Sequence, residues 1–567
     1  FLNLKKKNFK ITYDKVWMDK IETHPLYPKA LNDELKSVID RIQPNIVKSF
    51  NITKQVVINY AFLKNIYNNI TPLSVLNEIS KEVNKIKQDQ NLLLISEFNS
   101  IISNHIKEQP APFIYERIGE KFKHYFIDEF QDTSEMQWNN LIPLLENSLA
   151  GENGSLMLVG DAKQAIYRWR GGKAEQFIEL YSGHNPFYLE PNTKTLPVNY
   201  RSCKEIIDFN NGLFKHLSSF MFSNNSYAEL YKNSQQEMFK EQQGYVNINF
   251  LELTKEHNKN TVYPNEVLKI INRSLENGFE LNDICVLVRK KNEGIAIAKH
   301  LSKFNIDIIS SETLLVGNSP EVKFIVSLLK YILDPLNLEI KIEVLSYIAN
   351  HKLDVHDPHL FYKEFIGLDI NNFFSKCNGL GFNFNYIEAL QTSVYEVLEA
   401  IIYGFNLAET SNAYIQFFLD YALDYVNKNN SNIAHFITTF ETQKESLTIV
   451  SPDGQNAVKI MTIHKSKGLE FPVVIFPYAD LNIYQEKTPK LWFPLNAENF
   501  KGFPVAYLNY NNNIKDINEK GKQLYNLRQA ELELDNINLL YVALTRPVEQ
   551  LYIVSSKPQS KNQDIKS

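Results

Sequence analysis

The stretch FKHYFIDEFQDTS, residues 122–134, decides the fold prediction, because an apolar, aromatic-rich run ends on two adjacent carboxylates, Asp128 and Glu129. The run predicts a β-strand, and ligands in open α/β sheets bind at the carboxyl edge of the strands. A carboxylate pair there suits nucleotide hydrolysis, in which one acid holds Mg²⁺ and the other orients the attacking water. A solvated turn after a strand is the alternative interpretation of the same pair.

A second strand follows after one predicted helix. The helix begins near Glu135, and SLMLV, residues 155–159, predicts a strand that is followed by another acid, Asp161. This spacing fits one βαβ unit with a right-handed crossover, so the acids of both strands should share one edge of the sheet. Pro143 lies inside the connecting helix and should kink or shorten it.

The segment GDAKQAIYRWRGG, residues 160–172, places a polar residue, Gln164, just after the second strand, close enough to reach a phosphate at the same edge. Four residues then interleave aromatic rings with guanidinium groups: Tyr167, Arg168, Trp169 and Arg170. Single-stranded nucleic acid binds to such groups, because each base stacked on a ring contributes about 1–3 kcal/mol. Ordinary core aromatics are the alternative interpretation of Tyr167 and Trp169.

The remaining strand signals fall on either side of a long helical block. A second α/β region contains the strands ICVLV, residues 284–288, and IDIIS, residues 306–310, whereas residues 320–443 carry helical spacing. Strands return at VKIMTI, residues 458–463, and VVIF, residues 473–476. A helical block between α/β segments indicates an inserted domain.

The last predicted helix is NLRQAELELDNINLLYVALT, residues 526–545, and a polar, Asn-rich connection precedes it. Its apolar residues lie three and four apart: Leu527, Ala530, Leu534, Ile537, Tyr541 and Leu544. The helix should stop at Arg546, because Pro547 cannot continue it, and the strand QLYIV, residues 550–554, closes the fold.

Composition restricts the class of protein. A chain of 567 residues with 44% apolar and 22% charged residues predicts several globular domains. No apolar stretch approaches the roughly 20 residues that span a bilayer, and no signal peptide is evident, so we expect no membrane contact and a cytoplasmic location. Three dispersed cysteines provide neither a disulfide framework nor a CxxC metal site. The net charge of −5 means that any nucleic-acid surface must be local.

Five segments in order resemble motifs II to VI of the UvrD/RecB-type superfamily 1 DNA helicases: DEFQDTS, GDAKQAIYRWRGG, NYRS, IMTIHKSKGLEF and LLYVALTR. The resemblance covers nearly everything from about residue 90 onward. The KQAIY and VALTR sequences and the long connection between the last two motifs favour the RecB/AddA helicase-nuclease branch. The resemblance implies an α/β fold with tandem RecA-like motor domains, that is, the P-loop NTPase fold, and helical insertion domains.

The implied domains divide the chain into five parts. Residues 1–117 would be a helical remnant of the first motor's insertion, and residues 118–192 the C-terminal part of the first motor domain. Residues 193–315 and 451–567 would form the second motor domain, interrupted by a helical insertion domain at residues 316–450.

The resemblance also implies roles for single residues, with ATP and Mg²⁺ as the cofactors. Asp128 would hold Mg²⁺, Glu129 would activate the hydrolytic water and Gln164 would sense the γ-phosphate. Arg201 and Arg546 would reach the γ-phosphate from the second motor domain. Arginines supplied across a cleft neutralise transition-state charge, an effect of about 10³–10⁵ in rate in related phosphoryl transfers.

Further implied contacts involve the base, the ribose and DNA. Tyr200 would stack on adenine, and Gly468 and Glu470 would lie against the nucleotide, with Glu470 at the ribose. The implied DNA-binding residues are stacking rings, a cation and partners of the phosphate backbone: Tyr167, Trp169, Arg170, Thr462, His464 and Ser466. A structural histidine is the alternative interpretation of His464.

Two features depart from the family pattern. The phosphate-binding sequence G-x-x-x-x-G-K-[ST] does not occur in the printed sequence, so we expect motif I and the first motor strand upstream of Phe1 and negligible ATP hydrolysis by this chain alone. Pro547 stands where the family more often has a small residue.

The sequence therefore predicts the motor core of an ATP-dependent 3′ to 5′ helicase that acts on single-stranded or tailed duplex DNA in repair or recombination. Its expected partners are single-stranded DNA and duplex DNA ends, and a second helicase-nuclease subunit is a further candidate. Two alternatives stay open. One is a non-catalytic, DNA-binding scaffold subunit with a helicase fold, and the other is a plain UvrD-type repair helicase without a nuclease.

Overall fold

The structure is a computed structural model, and it describes residues 16–108, 122–253, 258–310, 315–353, 355, 357–407, 413–429, 432–444, 447, 456–480 and 482–557. Its strands are β1 His124–Ile127, β2 Ser155–Leu158, β3 Val198–Asn199, β4 Glu237–Met238, β5 Tyr245–Leu251, β6 Ile284–Val288, β7 Ile308–Ser310, β8 Val458–Thr462, β9 Phe471–Phe476, β10 Lys490–Pro494, β11 Val505–Asn509 and β12 Pro547–Ser556.

The α-helices of the described residues are α1 Val16–Asp19, α2 Asp33–Asp89, α3 Phe98–Glu108, α4 Glu135–Ala150, α5 Ala174–Tyr181, α6 Lys204–Ser218, α7 Asn225–Lys232, α8 Lys259–Glu276, α9 Lys291–Ser302, α10 Pro320–Leu333, α11 Leu338–Tyr347, α12 Pro358–Ile366, α13 Ile370–Gly379, α14 Tyr386–Ala389, α15 Val394–Gly404, α16 Ala413–Lys428, α17 Ile433–Gln443, α18 Ile463–Ser466 and α19 Glu519–Leu544. None of them is long and apolar enough to cross a membrane.

The predicted βαβ unit is confirmed. Strands β1 and β2 pair in parallel, and α4 connects them. The Ser134 side chain caps α4 by accepting a hydrogen bond from the Gln137 backbone N–H. The expected shortening at Pro143 is wrong, because α4 runs through the proline to Ala150. Proline removes one backbone donor from the helix, and the burial of Leu145 in the local core offsets that loss.

A six-stranded parallel sheet organises the larger α/β unit. Its strand order is β5-β12-β9-β6-β8-β7, and every adjacent pair is parallel. The five residues of β6 are all buried, as expected for a strand covered on both faces. Cys285 and Leu287 face the core that contains α19, whereas Ile284 and Val286 face the core that contains α8 and α9. The predicted α/β class is confirmed.

The helical block from Pro320 to Gln443 is also confirmed over its described residues. Helices α10 to α17 enclose a separate core of aliphatic and aromatic side chains, with α10 at its centre. Within this core, Lys341 is buried and its ammonium group donates to the carbonyl oxygens of Ile366 and Leu368 at 3.1 and 2.6 Å. Backbone carbonyls at the end of α12 thus satisfy a charge in an otherwise apolar interior.

The connection between β9 and the last helix differs from the prediction. It contains an antiparallel hairpin of β10 and β11, and α19 begins at Glu519, earlier than expected. Leu527, predicted to be part of the buried stripe, is 53% exposed, because the first turns of α19 pack on the turn Asn512–Asp516 and not on the sheet. The helix ends at Leu544, and Pro547 opens β12, a strand position that tolerates a missing N–H donor.

The described part of residues 1–117 is helical, as predicted, and α2 docks on the β10–β11 hairpin. Phe62 of α2 packs edge-on against Phe493 with ring centroids 5.3 Å apart. The Asn65 side-chain amide donates to the carbonyl oxygen of Asn509 and accepts from its N–H, both at 2.9 Å. A single side chain thus satisfies both backbone groups of a residue at the end of the hairpin.

Arg168 links the two α/β units. Its guanidinium group donates to both oxygens of Asp535 in α19 at 2.8 and 2.9 Å and to both oxygens of Glu175 in α5 at 3.1 and 2.7 Å. Burial raises the pKa of Asp535 to about 6, although the nearby Arg168 charge opposes that shift. The side chain of Arg168 therefore points into the interface, and it does not join the neighbouring rings of Tyr167 and Trp169 as a stacking group.

We predict that Asn65→Ala loosens α2 from the hairpin. The Asn509 N–H loses its partner, and the Asn509 carbonyl oxygen keeps only the longer bond from the Asn511 amide at 3.4 Å. The cost should be about 1 kcal/mol. Hydrogen–deuterium exchange should therefore become faster in the peptide that contains β11. Asn68→Ala, an exposed asparagine on the same helix, is the matched control and should leave that exchange unchanged. Equal exchange rates in the two variants would contradict the assigned contact.

We predict that Arg168→Met destabilises the domain interface in a pH-dependent way. At pH 8 two carboxylates lose their cation, and the free energy of unfolding should fall by up to about 3 kcal/mol. Asp535 has a higher pKa in the folded than in the unfolded state, so the folded state binds more protons between about pH 4 and 6. The stability that protonation of Asp535 contributes is therefore lost as the pH rises. The difference in free energy of unfolding between the unaltered chain and Arg168→Met should be smaller at pH 5 than at pH 8.

Urea unfolding between pH 5 and 8 measures this effect, and Arg170→Met, two residues further along the same turn, is the control because Arg170 is exposed. A loss of stability in Arg168→Met that stays constant over this pH range would show that the pairing with Asp535 is not responsible.

Candidate active site

The predicted acidic edge is present. Because Ile127 pairs with Leu158, Asp128 and Glu129 leave β1 at the edge where Asp161 follows β2. The Asp128 side chain accepts a hydrogen bond from the Glu129 backbone N–H at 2.8 Å, and Glu129 adopts a left-handed conformation with φ of 50°. Residues other than glycine seldom adopt this conformation, and such residues cluster at functional sites.

Gln131 connects the two acidic turns. Its side-chain amide donates to Glu129 Oε2 at 2.5 Å and accepts from the Asp161 backbone N–H at 3.0 Å. Gln131 is fully buried, so this amide fixes the Glu129 carboxylate relative to the end of β2. Gln164 lies one turn further on, where its amide donates to Asp161 Oδ2 at 3.1 Å. The sequence predicts Glu129 and Gln164 at one edge, and the structure adds the Gln131 amide, which joins Glu129 to Asp161, the residue that Gln164 contacts.

Lys467 reaches the acidic edge from the second α/β unit. Its ammonium group lies 3.1 Å from Glu129 Oε2 and 2.6 Å from Asp132 Oδ2. Burial raises the pKa of Asp132, and the nearby Lys467 cation opposes that rise. Sequence analysis assigned no role to Lys467, although it lies within the motif HKSKGLEF. Its spacing from the other motifs gave no sign that it would contact the carboxylates after β1.

The connection between β8 and β9, residues 463–470, runs from the carboxyl end of one parallel strand to the amino end of another. Its first and last residues therefore lie at opposite edges of the sheet. His464 lies two residues after β8, and Glu470 directly precedes β9. Gly468 has a φ of +81°, which favours glycine at this turn. Phe471 pairs with Pro547 across the sheet, so Glu470 and Arg546 lie side by side.

A cleft of about 400 Å³ lies between the two α/β units. Its lining combines residues that the sequence predicted with others that it did not: Gln164, Asn199, Tyr200, Arg201, Gln236, Lys240, Glu470, Tyr541, Thr545 and Arg546. The first of these belongs to the unit of β1 and β2, and the rest belong to the unit of the six-stranded sheet. Amide, hydroxyl, carboxylate and guanidinium groups dominate, a set suited to a polar, anionic ligand.

The two predicted arginines of the cleft are held differently. Arg201 forms an ion pair with Glu470 at 2.7 Å and donates to the Thr545 carbonyl oxygen at 3.3 Å. Arg546 is only 2% exposed and donates to the Val542 and Leu469 carbonyl oxygens at 2.9 and 3.1 Å. Burial, together with the nearby Arg201 charge, lowers the pKa of Arg546 to about 10. Arg546 therefore stays charged at neutral pH. Backbone carbonyls orient both guanidinium groups.

Tyr200 lies at the mouth of the cleft and is 64% exposed. An exposed ring beside a polar cleft is available for stacking, as the resemblance implies. Asp128 is exposed too. No group of three or more His, Cys, Asp or Glu residues that could hold a metal occurs in the described ranges. Mg²⁺ needs only one or two carboxylates when phosphate oxygens complete its coordination, so the residues at this edge fit that ion.

Four of the six predicted DNA-binding residues form one cluster: Tyr167, Trp169, Arg170 and His464. Trp169 is 67% exposed, and the Arg170 guanidinium lies 4.6 Å from its ring centroid. The Tyr167 hydroxyl donates to the His464 carbonyl oxygen at 2.9 Å, and the His464 ring lies 6.0 Å from that of Tyr167 and 6.4 Å from that of Trp169. Burial lowers the pKa of His464, so its ring is neutral at pH 7.

The other two predicted DNA-binding residues flank His464. Thr462 is half-buried at the end of β8. Ser466 is fully buried, and its hydroxyl donates to the Ile463 carbonyl oxygen at 2.9 Å. Ser466 therefore has no exposed atom that could contact DNA, and its DNA contact stays a prediction.

Comparison with known proteins identifies the family of the chain. The UvrD/REP helicase N-terminal domain family matches residues 3–185, and the UvrD-like helicase C-terminal domain family matches residues 195–355 and 406–558. The chain is 25% identical to an ATP-dependent helicase/nuclease subunit of Clostridium kluyveri, over 78% of this chain and 41% of that protein. It is 26% identical to the RecBCD enzyme subunit RecB of Buchnera aphidicola, over 92% of this chain and 45% of that protein.

The chain thus spans less than half the length of these relatives. Their names confirm the predicted similarity to the RecB/AddA branch, and the two family matches together cover most of the sequence. On these matches, the chain belongs to the UvrD-like helicase family, with tandem RecA-like domains.

Proposed function

We propose that the chain is the motor core of an ATP-dependent DNA helicase in repair or recombination, which moves 3′ to 5′ along single-stranded or tailed duplex DNA. The observation that carries the proposal is the cleft between the two motor domains. It holds Gln164 from one domain and Arg201 and Arg546 from the other. Such an arrangement lets a nucleotide pull the domains together and lets hydrolysis release them.

In this proposal each side of the cleft has a separate task. Glu129, held by Gln131, orients the attacking water, and Asp128 provides a carboxylate for Mg²⁺, which supplies charge neutralisation on the phosphates when bound. Gln164 contacts the γ-phosphate, and Arg201 and Arg546 stabilise the charge that develops on it. Tyr200 stacks on the adenine, while Gly468 and Glu470 lie against the nucleotide, with Glu470 at the ribose.

The contact between Lys467 and Glu129 supports coupling of the two domains. The cation belongs to the second motor domain and the carboxylate to the first, and their atoms are 3.1 Å apart. Any movement between the domains changes the surroundings of the carboxylate that orients water. His464, in the same connection, contacts Tyr167 of the DNA cluster, so one segment touches both the proposed hydrolytic site and the proposed DNA site.

For DNA we propose that bases stack on Tyr167 and Trp169, that Arg170 pairs with a phosphate, and that Thr462 and His464 act as uncharged partners of the backbone. Ser466 would act by holding the turn that carries His464. The proposed partners are single-stranded DNA, duplex ends and a second helicase-nuclease subunit, in the cytoplasm. This second protein is suggested by relatives whose names identify them as subunits.

A non-catalytic scaffold is the second candidate, and sequence encoded outside this chain distinguishes it from the motor. The 567 residues contain no G-x-x-x-x-G-K-[ST] sequence, whose backbone N–H groups and lysine bind the phosphates in P-loop enzymes. The presence of Asp128, Glu129, Gln164, Arg201 and Arg546 together favours the motor. A P-loop encoded upstream of Phe1 would decide for the motor, and its absence there would decide for the scaffold.

We predict that residues 1–567 alone hydrolyse ATP at a negligible rate, because the phosphate-binding sequence is absent from them. Phosphate release in the presence of single-stranded DNA should equal that of the Glu129→Gln variant within error. A DNA-stimulated rate that Glu129→Gln abolishes would refute this prediction and would show that hydrolysis here does not need a P-loop.

We predict that Trp169→Ala weakens binding of a fluorescent oligothymidylate by about 1–3 kcal/mol, because one base loses its stacking partner. Trp492→Ala is the matched control, since Trp492 is 57% exposed but lies on the β10–β11 hairpin and not in the DNA cluster. Fluorescence anisotropy measures both affinities. If Trp169→Ala binds the oligonucleotide as tightly as the control does, the stacking role belongs elsewhere.

A further inference from the structure

Residues Gln236–Lys240, here called the 236–240 segment, lie outside all five helicase motifs, yet Gln236 and Lys240 line the cleft between the motor domains. The segment contains the short strand β4, which pairs in parallel with β3 of the NYRS motif. Glu237 donates its backbone N–H to the Pro197 carbonyl oxygen at 2.7 Å, and Phe239 donates its own to that of Asn199 at 3.3 Å. The motif and the segment therefore form one small parallel unit.

Gln236 fixes this unit to the rest of the second motor domain. Its side-chain oxygen accepts from the Asn199 amide at 2.8 Å, and its amide donates to the Tyr541 hydroxyl at 3.3 Å. The Asn211 side chain both accepts from the Gln236 backbone N–H and donates to its carbonyl oxygen, each at 2.9 Å. A segment held by α6, α19 and the NYRS motif has a defined position relative to the cleft.

Phe239 stands beside Tyr200. The two ring centroids are 4.8 Å apart with 47° between the ring planes, and the residues are 63% and 64% exposed. A flat ligand between two rings needs about 7 Å, twice the optimal carbon contact distance, so a base cannot enter between them. The two exposed rings instead lie next to each other, and the Tyr200 ring also lines the polar cleft.

Lys240 brings a third cation to the cleft. Its ammonium group donates to the Arg201 carbonyl oxygen at 2.9 Å. An ammonium group has three N–H donors, so this bond leaves it able to donate to an oxygen of a ligand in the cleft as well. Together with Arg201 and Arg546, Lys240 makes the cleft locally cationic in a chain whose net charge is −5. Such a site attracts polyphosphates.

We propose that the 236–240 segment is a second wall of the nucleotide site, in which Phe239 completes the surface that binds the base and Lys240 binds a phosphate oxygen. The ligand class is a nucleoside triphosphate. This inference rests on the proposed function, because it places additional contacts in the cleft that the motor would close on ATP.

Separate ligands test the two roles. Saturation-transfer NMR titrations of residues 1–567 measure weak binding of ATP and of adenosine, which lacks phosphates. Phe239→Ala should raise the Kd of both ligands about two- to tenfold, since an aromatic pair contributes about 0.5–1.5 kcal/mol. Lys240→Met should raise the Kd of ATP about two- to fivefold and leave that of adenosine unchanged, since only ATP carries the charge that Lys240 would bind.

Two further variants serve as controls. Lys240→Arg, which keeps the charge, should retain most of the ATP affinity, and Lys232→Met, an exposed lysine at the end of α7, should behave as the unaltered chain. The inference is overturned if Phe239→Ala and Lys240→Met bind both ligands normally while Tyr200→Ala does not, and the proposed function then stands. Equal losses for ATP and adenosine in Lys240→Met would assign that lysine a structural role. An unaltered chain that binds neither ligand would refute the nucleotide site itself.

Discussion

The packing of α19 between the six-stranded sheet and the 160–172 loop is the constraint on which the rest of the structure depends. Leu534 and Val542 join the apolar core under the sheet. On its other side, the Asn538 amide donates to the Ala162 and Ala165 carbonyl oxygens at 2.9 and 2.8 Å. One helix therefore bonds to both motor domains, and its C-terminal end leads directly into Arg546. A buried, polar contact of this kind fixes orientation, because unpaired amides and carboxylates in an interface are costly.

That constraint explains why the candidate site is composite. The acids after β1, with Gln131 and Gln164, form a rigid hydrogen-bonded edge, and the arginines lie across the cleft at the amino ends of β9 and β12. The connection 463–470 lies between these groups, with Lys467 at the acids and His464 at the aromatic cluster. The proposed nucleotide and DNA contacts are thus separated by a few residues of chain. A helicase motor needs such proximity, since it converts closure on one ligand into movement on the other.

The local sequence predicted the structure best where one pattern, such as an apolar strand or an acid directly after a strand, describes a whole element. It predicted β6 over its observed bounds, the shared edge of Asp128 and Asp161, and the helical block. The local sequence predicted least where a helix is packed on two sides, because buried polar residues then interrupt the apolar pattern. Helix α19 buries Asn538 and Glu533 together with its apolar residues, so an apolar stripe alone misjudged Leu527 and the start of the helix. Adjacency in the sequence groups Arg168 with Trp169, but Arg168 binds Asp535 in the interface whereas Trp169 is exposed.

The sequence by itself determined the parallel strands, the acids that follow them and the chemical character of each motif, because strand periodicity and chain direction are local properties. Only the tertiary structure decided that Lys467 would meet Glu129, that Asn65 would complete the hydrogen bonds of Asn509, and that Phe239 would stand beside Tyr200. These contacts join segments far apart in the chain or lie outside any motif. Their partners are selected by the packing of whole elements, and a single sequence carries no local signal for that selection.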